Sequence, residues 1–128
     1  MKIFNSYTNQ LEEFVPINKG IVNMYVCGPT VYNYIHIGNA RPVIFFDTVR
    51  RYFEFLDYKV NFVSNFTDVD DKIITKAIEL EKTEKEVTDR FIEAFLTDVE
   101  KLNSSIDYQK PRVTEYMDHI IEYIEILV

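Results

Sequence analysis

The spacing of apolar positions changes twice in the first half of the chain. Ile21 to Val26 is a run of apolar and β-prone residues, and it stops at Cys27-Gly28-Pro29, which a strand cannot readily continue through. Val43, Phe46, Val49, Phe53 and Leu56 then recur at helical spacing. They predict a helix starting near Gly38-Asn39, with Pro42 tolerated in its first turn. Asp57-Tyr58-Lys59 breaks that period, and Val60 to Phe66 reads as a second buried strand on Val60, Phe62 and Val63. Two short segments, Lys2 to Tyr7 and Leu11 to Val15, come first, with a turn at Thr8-Asn9-Gln10.

Strand, crossover helix and strand in that order make a right-handed βαβ unit, so the fold class is α/β with a parallel sheet. Ligands of such sheets bind beyond the carboxyl ends of the strands. Cys27-Gly28-Pro29-Thr30 and Asn65-Phe66-Thr67-Asp68 both fall there, so sequence order alone brings two polar loops to one mouth.

The second half reads as helices, which divides the chain into a core over residues 1–69 and a helical segment over 70–128. Asp70 to Glu81 carries Ile73, Ile74, Ala77 and Ile78 on one face. Thr83-Glu84-Lys85-Glu86 matches a capping box, and Val87, Phe91, Phe95, Val99 and Leu102 follow as a core stripe. Asn103 to Lys110 reads as a connector. Pro111 marks a fresh start, and Thr114 is the expected cap of a last helix that turns Met117, Ile120, Ile121, Ile124 and Leu127 inward. That helix has no stop signal before the apolar end Ile126-Leu127-Val128, and one βαβ unit makes a short sheet, so the expectation is a longer protein cut at residue 128.

Composition narrows the class. The chain has 128 residues, 47% hydrophobic and 27% charged, as ordinary globular proteins do. No apolar run is long enough to span a bilayer, and the first residues lack the apolar core of a secretory signal. One cysteine excludes an internal disulfide and fits a reducing, cytoplasmic setting. The net charge of -7 is unevenly spread: residues 1–65 hold 6 basic and 5 acidic side chains, residues 66–128 hold 8 and 16. A polyanion would therefore dock on the first half, near Arg41, Arg50 and Arg51. Arg50 and Arg51 read more simply as cover for a helix surface, and the acidic half as solvated helix faces.

His36-Ile37-Gly38-Asn39 stands between the first parallel strand and its crossover helix, where unpaired N–H groups and a partial positive charge suit a triphosphate. A histidine there can donate to a phosphoryl oxygen as charge develops, Asn39 can donate likewise, and Gly38 leaves room for a flat ring against the backbone. Taken alone, a histidine before a helix reads as a cap or surface residue. Asp68, Asp70 and Asp71 have a spacing that can bind Mg²⁺, but acids at a helix start more simply offset its dipole, with Asp68 or Asp70 as the cap. Cys27 alone is a free thiol at a strand end.

Three strings taken together, Tyr25-Val26-Cys27-Gly28-Pro29-Thr30-Val31-Tyr32, His36-Ile37-Gly38-Asn39-Ala40-Arg41 and Asn65-Phe66-Thr67-Asp68-Val69-Asp70-Asp71-Lys72, resemble the cysteinyl-tRNA synthetases, a family of class I aminoacyl-tRNA synthetases. The resemblance runs from Lys2-Ile3-Phe4-Asn5 through Pro111-Arg112. It implies the N-terminal part of a Rossmann-like catalytic domain. The implied reaction joins cysteine and ATP (with Mg²⁺) as cysteinyl-adenylate and passes the cysteinyl group to tRNA(Cys). It makes His36 and Asn39 catalytic and lines the ATP site with Gly28, Pro29, Thr30, His36, Gly38 and Asn39. Cys27 and Thr67 become the contacts for substrate cysteine, with Cys27 one ligand of a zinc ion that holds the substrate thiolate. Asn39 stands where many members have a second histidine: it can donate but carries no charge.

The resemblance also implies parts this chain lacks: the lysine-rich second signature loop, the other zinc ligands and the anticodon-binding region. The isolated chain is therefore expected to be inactive, as a monomer or a protein missing its C-terminal portion. The other readings are a stand-alone nucleotide or metal-binding module, a split half needing a partner chain, and a related ligase joining cysteine to an amino-sugar inositol.

Overall fold

The computed structural model describes residues 1–128. Its centre is the expected βαβ unit: β3 (Ile21–Val26), α1 (Ile37–Phe55) and β4 (Lys59–Ser64), with β3 and β4 parallel and Val22 opposite Val60, Met24 opposite Phe62 and Val26 opposite Ser64. Ahead of it, β1 (Lys2–Asn5) and β2 (Gln10–Glu13) form a separate antiparallel hairpin, turned through Asn9 at φ 56°. Both strands are shorter than their apolar residues suggest, and most of the hairpin is exposed. Phe14 ties it down: its ring meets Phe53 of α1 at 5.1 Å and Tyr58 at 6.3 Å.

Two boundaries differ from the sequence expectation, each for a local reason. Helix α1 begins at Ile37 because the His36 side chain accepts the Gly38 N–H and makes His36 the cap. Pro42 therefore stands in the second turn. It deprives the Gly38 carbonyl of its helical partner without ending the helix. Strand β4 stops at Ser64, and the chain beyond it is held by isolated bridges, Thr30 to Thr67 and Phe66 to Arg112.

The sheet is wider than the pattern predicts. The expected connector over residues 103–110, with the residues just after it, returns alongside β4 in parallel. Ser64 N–H donates to the Gln109 carbonyl at 3.0 Å, Phe66 N–H to Pro111 at 2.9 Å and Val113 N–H to Phe66 at 3.2 Å. Pro111 and the charged residues around it hide this edge from a reading based on apolar alternation, since proline is confined to sheet edges.

Helix α2 (Asp71–Leu80) is capped by Asp70, whose carboxylate takes the Lys72 N–H. Ile73 and Ala77 are buried, but Ile74 and Ile78 face solvent, so the buried stripe is narrower than expected. Helix α3 (Glu84–Lys101) opens with the expected capping box between Thr83 and Glu86. Its Val87, Phe91, Ile92, Phe95 and Val99 pack with Val31, Phe66 and Ala77 into the main core, while Leu102 is exposed past the helix end. The Phe66 and Phe95 rings meet edge to face at 5.4 Å. The core thus lies directly under the two strand-end loops and fixes their positions from below.

The last segment departs most from expectation. Thr114 does not cap a helix; it sits in a short 3-10 turn (Val113–Tyr116) and binds Asp68. Helix α4 (Met117–Leu127) follows with no side-chain cap, and all of its residues are exposed. Its stripe of Met117, Ile120, Ile121, Ile124 and Leu127 is amphipathic but does not face the core of this chain. No helix is long and apolar enough to cross a membrane.

Candidate active site

The two strand-end loops are locked to each other. Thr67 N–H donates to the Pro29 carbonyl at 3.1 Å and Val31 N–H to the Thr67 carbonyl at 3.1 Å. Gly28 N–H donates to the Asn65 side-chain oxygen at 2.9 Å. A Cβ on residue 28 would lie 1.5 Å from the Asn65 backbone oxygen, so this crossing admits only glycine.

Beside this crossing, between the sheet and the start of α1, lies a cavity of about 410 Å³. Cys27, Gly28, Pro29, Thr30, His36 and Asn39 all line it, so six of the residues singled out by sequence share one space. Gly38 and Thr67 do not line it. Gly38 serves the site in another way. The flat ring lying against its backbone is the imidazole of His36: a Cβ here would sit 2.8 Å from His36 Cε1 and 3.1 Å from Nδ1.

That contact settles how His36 presents itself. Nδ1 accepts the Gly38 N–H at 3.0 Å, so in the neutral ring the proton is on Nε2. His36 is thus both a helix cap and an exposed donor. Asn39, in the first turn of α1, adds a side-chain amide beside it, and the dipole of α1 gives the helix start a partial positive charge.

The inner wall of the cavity was not foreseen from sequence. It holds Phe46, Asp47, Phe62, Ser64, Ser105 and Tyr108. Asp47 is buried and bound on every side. Arg50 Nη2 donates to Oδ1 at 2.8 Å, Arg51 Nε to Oδ2 at 2.7 Å, and the Ser105 N–H to Oδ1 at 3.3 Å. Burial by itself would raise the Asp47 carboxyl; the bonds from Arg50, Arg51 and Ser105 outweigh it and hold the group below the usual carboxylate range. Burial first, and the Asp47 charge second, push the Tyr108 phenol up, so it stays a neutral donor. Arg51 also reaches the Asn103 carbonyl at 2.7 Å, so the two arginines pin the 103–105 loop to α1 as well as covering its surface. The spacing of Asp47 to Arg50 and Arg51 (i, i+3 and i+4) on an inward helix face is the signal that could have revealed this clamp. Tyr108 lies in a loop with no comparable signal.

The acidic run resolves into structural roles. Asp70 caps α2, while the Asp68 carboxylate takes the Thr114 N–H at 2.9 Å and the Thr114 hydroxyl at 2.5 Å. The zinc implied by the resemblance is a separate question. A zinc site needs at least three protein donors. Cys27 is the single sulfur donor among the chain's cysteines, the His36 Nδ1 is spent on Gly38, and no three His, Cys, Asp or Glu side chains converge. The residues of this chain do not by themselves hold zinc.

Comparison with known proteins bears on this geometry directly. The family model for the tRNA synthetases class I (C) catalytic domain matches residues 13–128. Over all 128 residues the chain is 60% identical to a cysteine–tRNA ligase of Listeria welshimeri, covering 27% of that protein. It is 59% identical to one of Lysinibacillus sphaericus, covering 28%, and 56% identical to one of Streptococcus agalactiae, covering 29%. The chain therefore spans less than a third of the length of these curated relatives. With its βαβ core, crossed strand ends and capped helix start, the chain belongs to the class I (C) tRNA synthetase catalytic-domain family.

Proposed function

We propose that this chain is the N-terminal, phosphate-binding part of a cysteine–tRNA ligase. In that enzyme the carboxylate of L-cysteine attacks the α-phosphorus of ATP (taken up with Mg²⁺), pyrophosphate leaves, and the cysteinyl group of the adenylate passes to tRNA(Cys). The observation that carries the reading is the His36 cap: with Nδ1 fixed on Gly38, the Nε2–H is free at the mouth of the cleft, next to Asn39. His36 and Asn39 are the catalytic donors. They stabilise negative charge that builds on the phosphoryl oxygens during transfer, aided by the start of α1.

Gly28, Pro29 and Thr30 form the opposite lip, and Gly38 keeps the cap in place. Cys27, exposed at the end of β3, and Thr67, at the crossing, are assigned to the amino-acid end. Zinc, if Cys27 contributes to it, would favour a thiolate ligand and so select cysteine over serine, its other donors coming from outside these 128 residues.

Cysteine-dependent ATP–pyrophosphate exchange by the enzyme containing this segment tests the proposal. Exchange that requires cysteine and falls by about 10²-fold or more in His36→Ala is the expected result, the size seen for loss of one preorganised donor. Exchange untouched by His36→Ala, or driven equally by serine, would contradict it.

A further inference from the structure

Asn65 stands just beyond β4, and its side chain is engaged in three directions at the junction of the strand ends. Gly28 N–H donates to Oδ1 at 2.9 Å, and the Tyr25 hydroxyl donates to the same oxygen at 2.9 Å. A backbone N–H can only donate, so the atom it meets is the amide oxygen and the orientation of the group is settled. The nitrogen then points the other way, where Nδ2 donates to Thr67 Oγ1 at 3.3 Å. One side chain thus ties the Cys27-Gly28 turn to the Thr67 hydroxyl. The Asn65 backbone is also the atom set that forbids a side chain at residue 28, so the spacing is fixed twice over.

The direction of the last bond has a chemical consequence. Thr67 Oγ1 accepts from Asn65 in the one side-chain hydrogen bond it makes, and its own hydroxyl proton is given to no protein acceptor there. That proton is left to be donated outward. We propose that Asn65 is a positioning residue for the amino-acid end of the site: it holds Cys27 and Thr67 at a fixed separation and turns the Thr67 O–H toward an acceptor atom of the bound amino acid. This rests on the reading of the cleft as a cysteine-activating site. None of the Asn65 hydrogen bonds reaches α1, so the His36 and Asn39 end is left alone, and the Gly28 lip is disturbed only where the bond from Gly28 to residue 65 is lost.

Two substitutions separate positioning from mere structure. Asn65→Ala removes all three bonds. Asn65→Asp keeps an acceptor for Gly28 and Tyr25, but the introduced carboxylate takes the Thr67 proton instead of giving one. In pyrophosphate exchange both variants are expected to raise KM for cysteine by about tenfold or more, the scale of one lost hydrogen bond, while in Asn65→Asp, which keeps the Gly28 bond, KM for ATP stays within about twofold. Hydrogen exchange of the Gly28 amide is expected to lose protection in Asn65→Ala and keep it in Asn65→Asp. An Asn65→Asp enzyme indistinguishable from the unsubstituted one, or one whose cysteine and ATP constants move together, would overturn the proposal while leaving the functional reading intact. No cysteine-dependent exchange in the unsubstituted enzyme would overturn the functional reading, and this role with it.

Discussion

The imidazole of His36 accepts a hydrogen bond from the Gly38 backbone at 3.0 Å while lying where a Gly38 side chain would have to stand. A single pair of residues thereby starts the helix and fixes the ring tautomer, leaving Nε2–H as the donor of a residue that lines the cleft. Gly38→Ala separates these effects. The methyl would displace the ring and remove a cap worth about 1 kcal/mol, but alanine in a helix regains about 1 kcal/mol relative to glycine. The melting temperature is expected to change little, while KM for ATP rises. A variant with normal ATP kinetics would show that the ring position is not needed.

Gly28→Ala has no such compensation. Its Cβ would meet backbone, not a movable side chain, so the crossing of the two strand ends must open. A loss of about 3 kcal/mol, at the upper end for overpacking, is expected in urea unfolding. The Gly28 substitution should therefore be far more damaging to stability than the Gly38 one, and equal effects would contradict the geometry.

The Asp47 clamp predicts a dependence on acid. Its folded carboxyl lies below the ordinary value of 3.8, because bonds from Arg50, Arg51 and Ser105 outweigh the effect of burial. A group depressed on folding contributes stability that is fully present above its unfolded value and is lost as pH falls through the lower folded value. Asp47→Asn should cost about 3 kcal/mol at neutral pH, because it leaves two arginines without their shared partner. The gap between variant and original should close below pH 3.8. Unfolding curves across that range check this; a gap independent of pH would contradict it.

Helix α4 and helix α3 carry similar apolar stripes in the sequence but have opposite surroundings. Phe91 is 3% exposed and Ile124 is 51% exposed. In the 128-residue chain, Phe91→Ala should cost about 3–5 kcal/mol and Ile124→Ala less than about 0.5 kcal/mol. A large loss from Ile124→Ala would mean that α4 packs on the core after all.

That contrast also marks what the sequence could reveal. Periodicity found every helix, because amphipathic spacing is a local property. It could not tell which stripe finds a partner, since Ile120 and Phe95 look alike until a neighbour is placed against them. The strand-end loops were legible because Gly28-Pro29 and the β-run before it punctuate the chain sharply. The edge segment through Gln109 and Pro111 was not, because its pairing depends on β4 and leaves no alternation in its own residues. Of the residues that line the cavity, His36, Asn39 and the Cys27 to Thr30 loop were legible from motif and position. Asp47 and Tyr108 were missed, since their roles arise from burial across elements far apart in the chain.

His36 is proposed to offer Nε2–H to phosphate at the start of α1. Long-range proton–nitrogen spectra of the imidazole groups test it most directly, recorded on the 128-residue chain before and after ATP with Mg²⁺ is added. The prediction is a neutral ring protonated on Nε2, whose Nε2 resonance shifts saturably with ATP while His119, on α4, does not move. A ring protonated on Nδ1, or an ATP titration that leaves His36 unchanged, would contradict it.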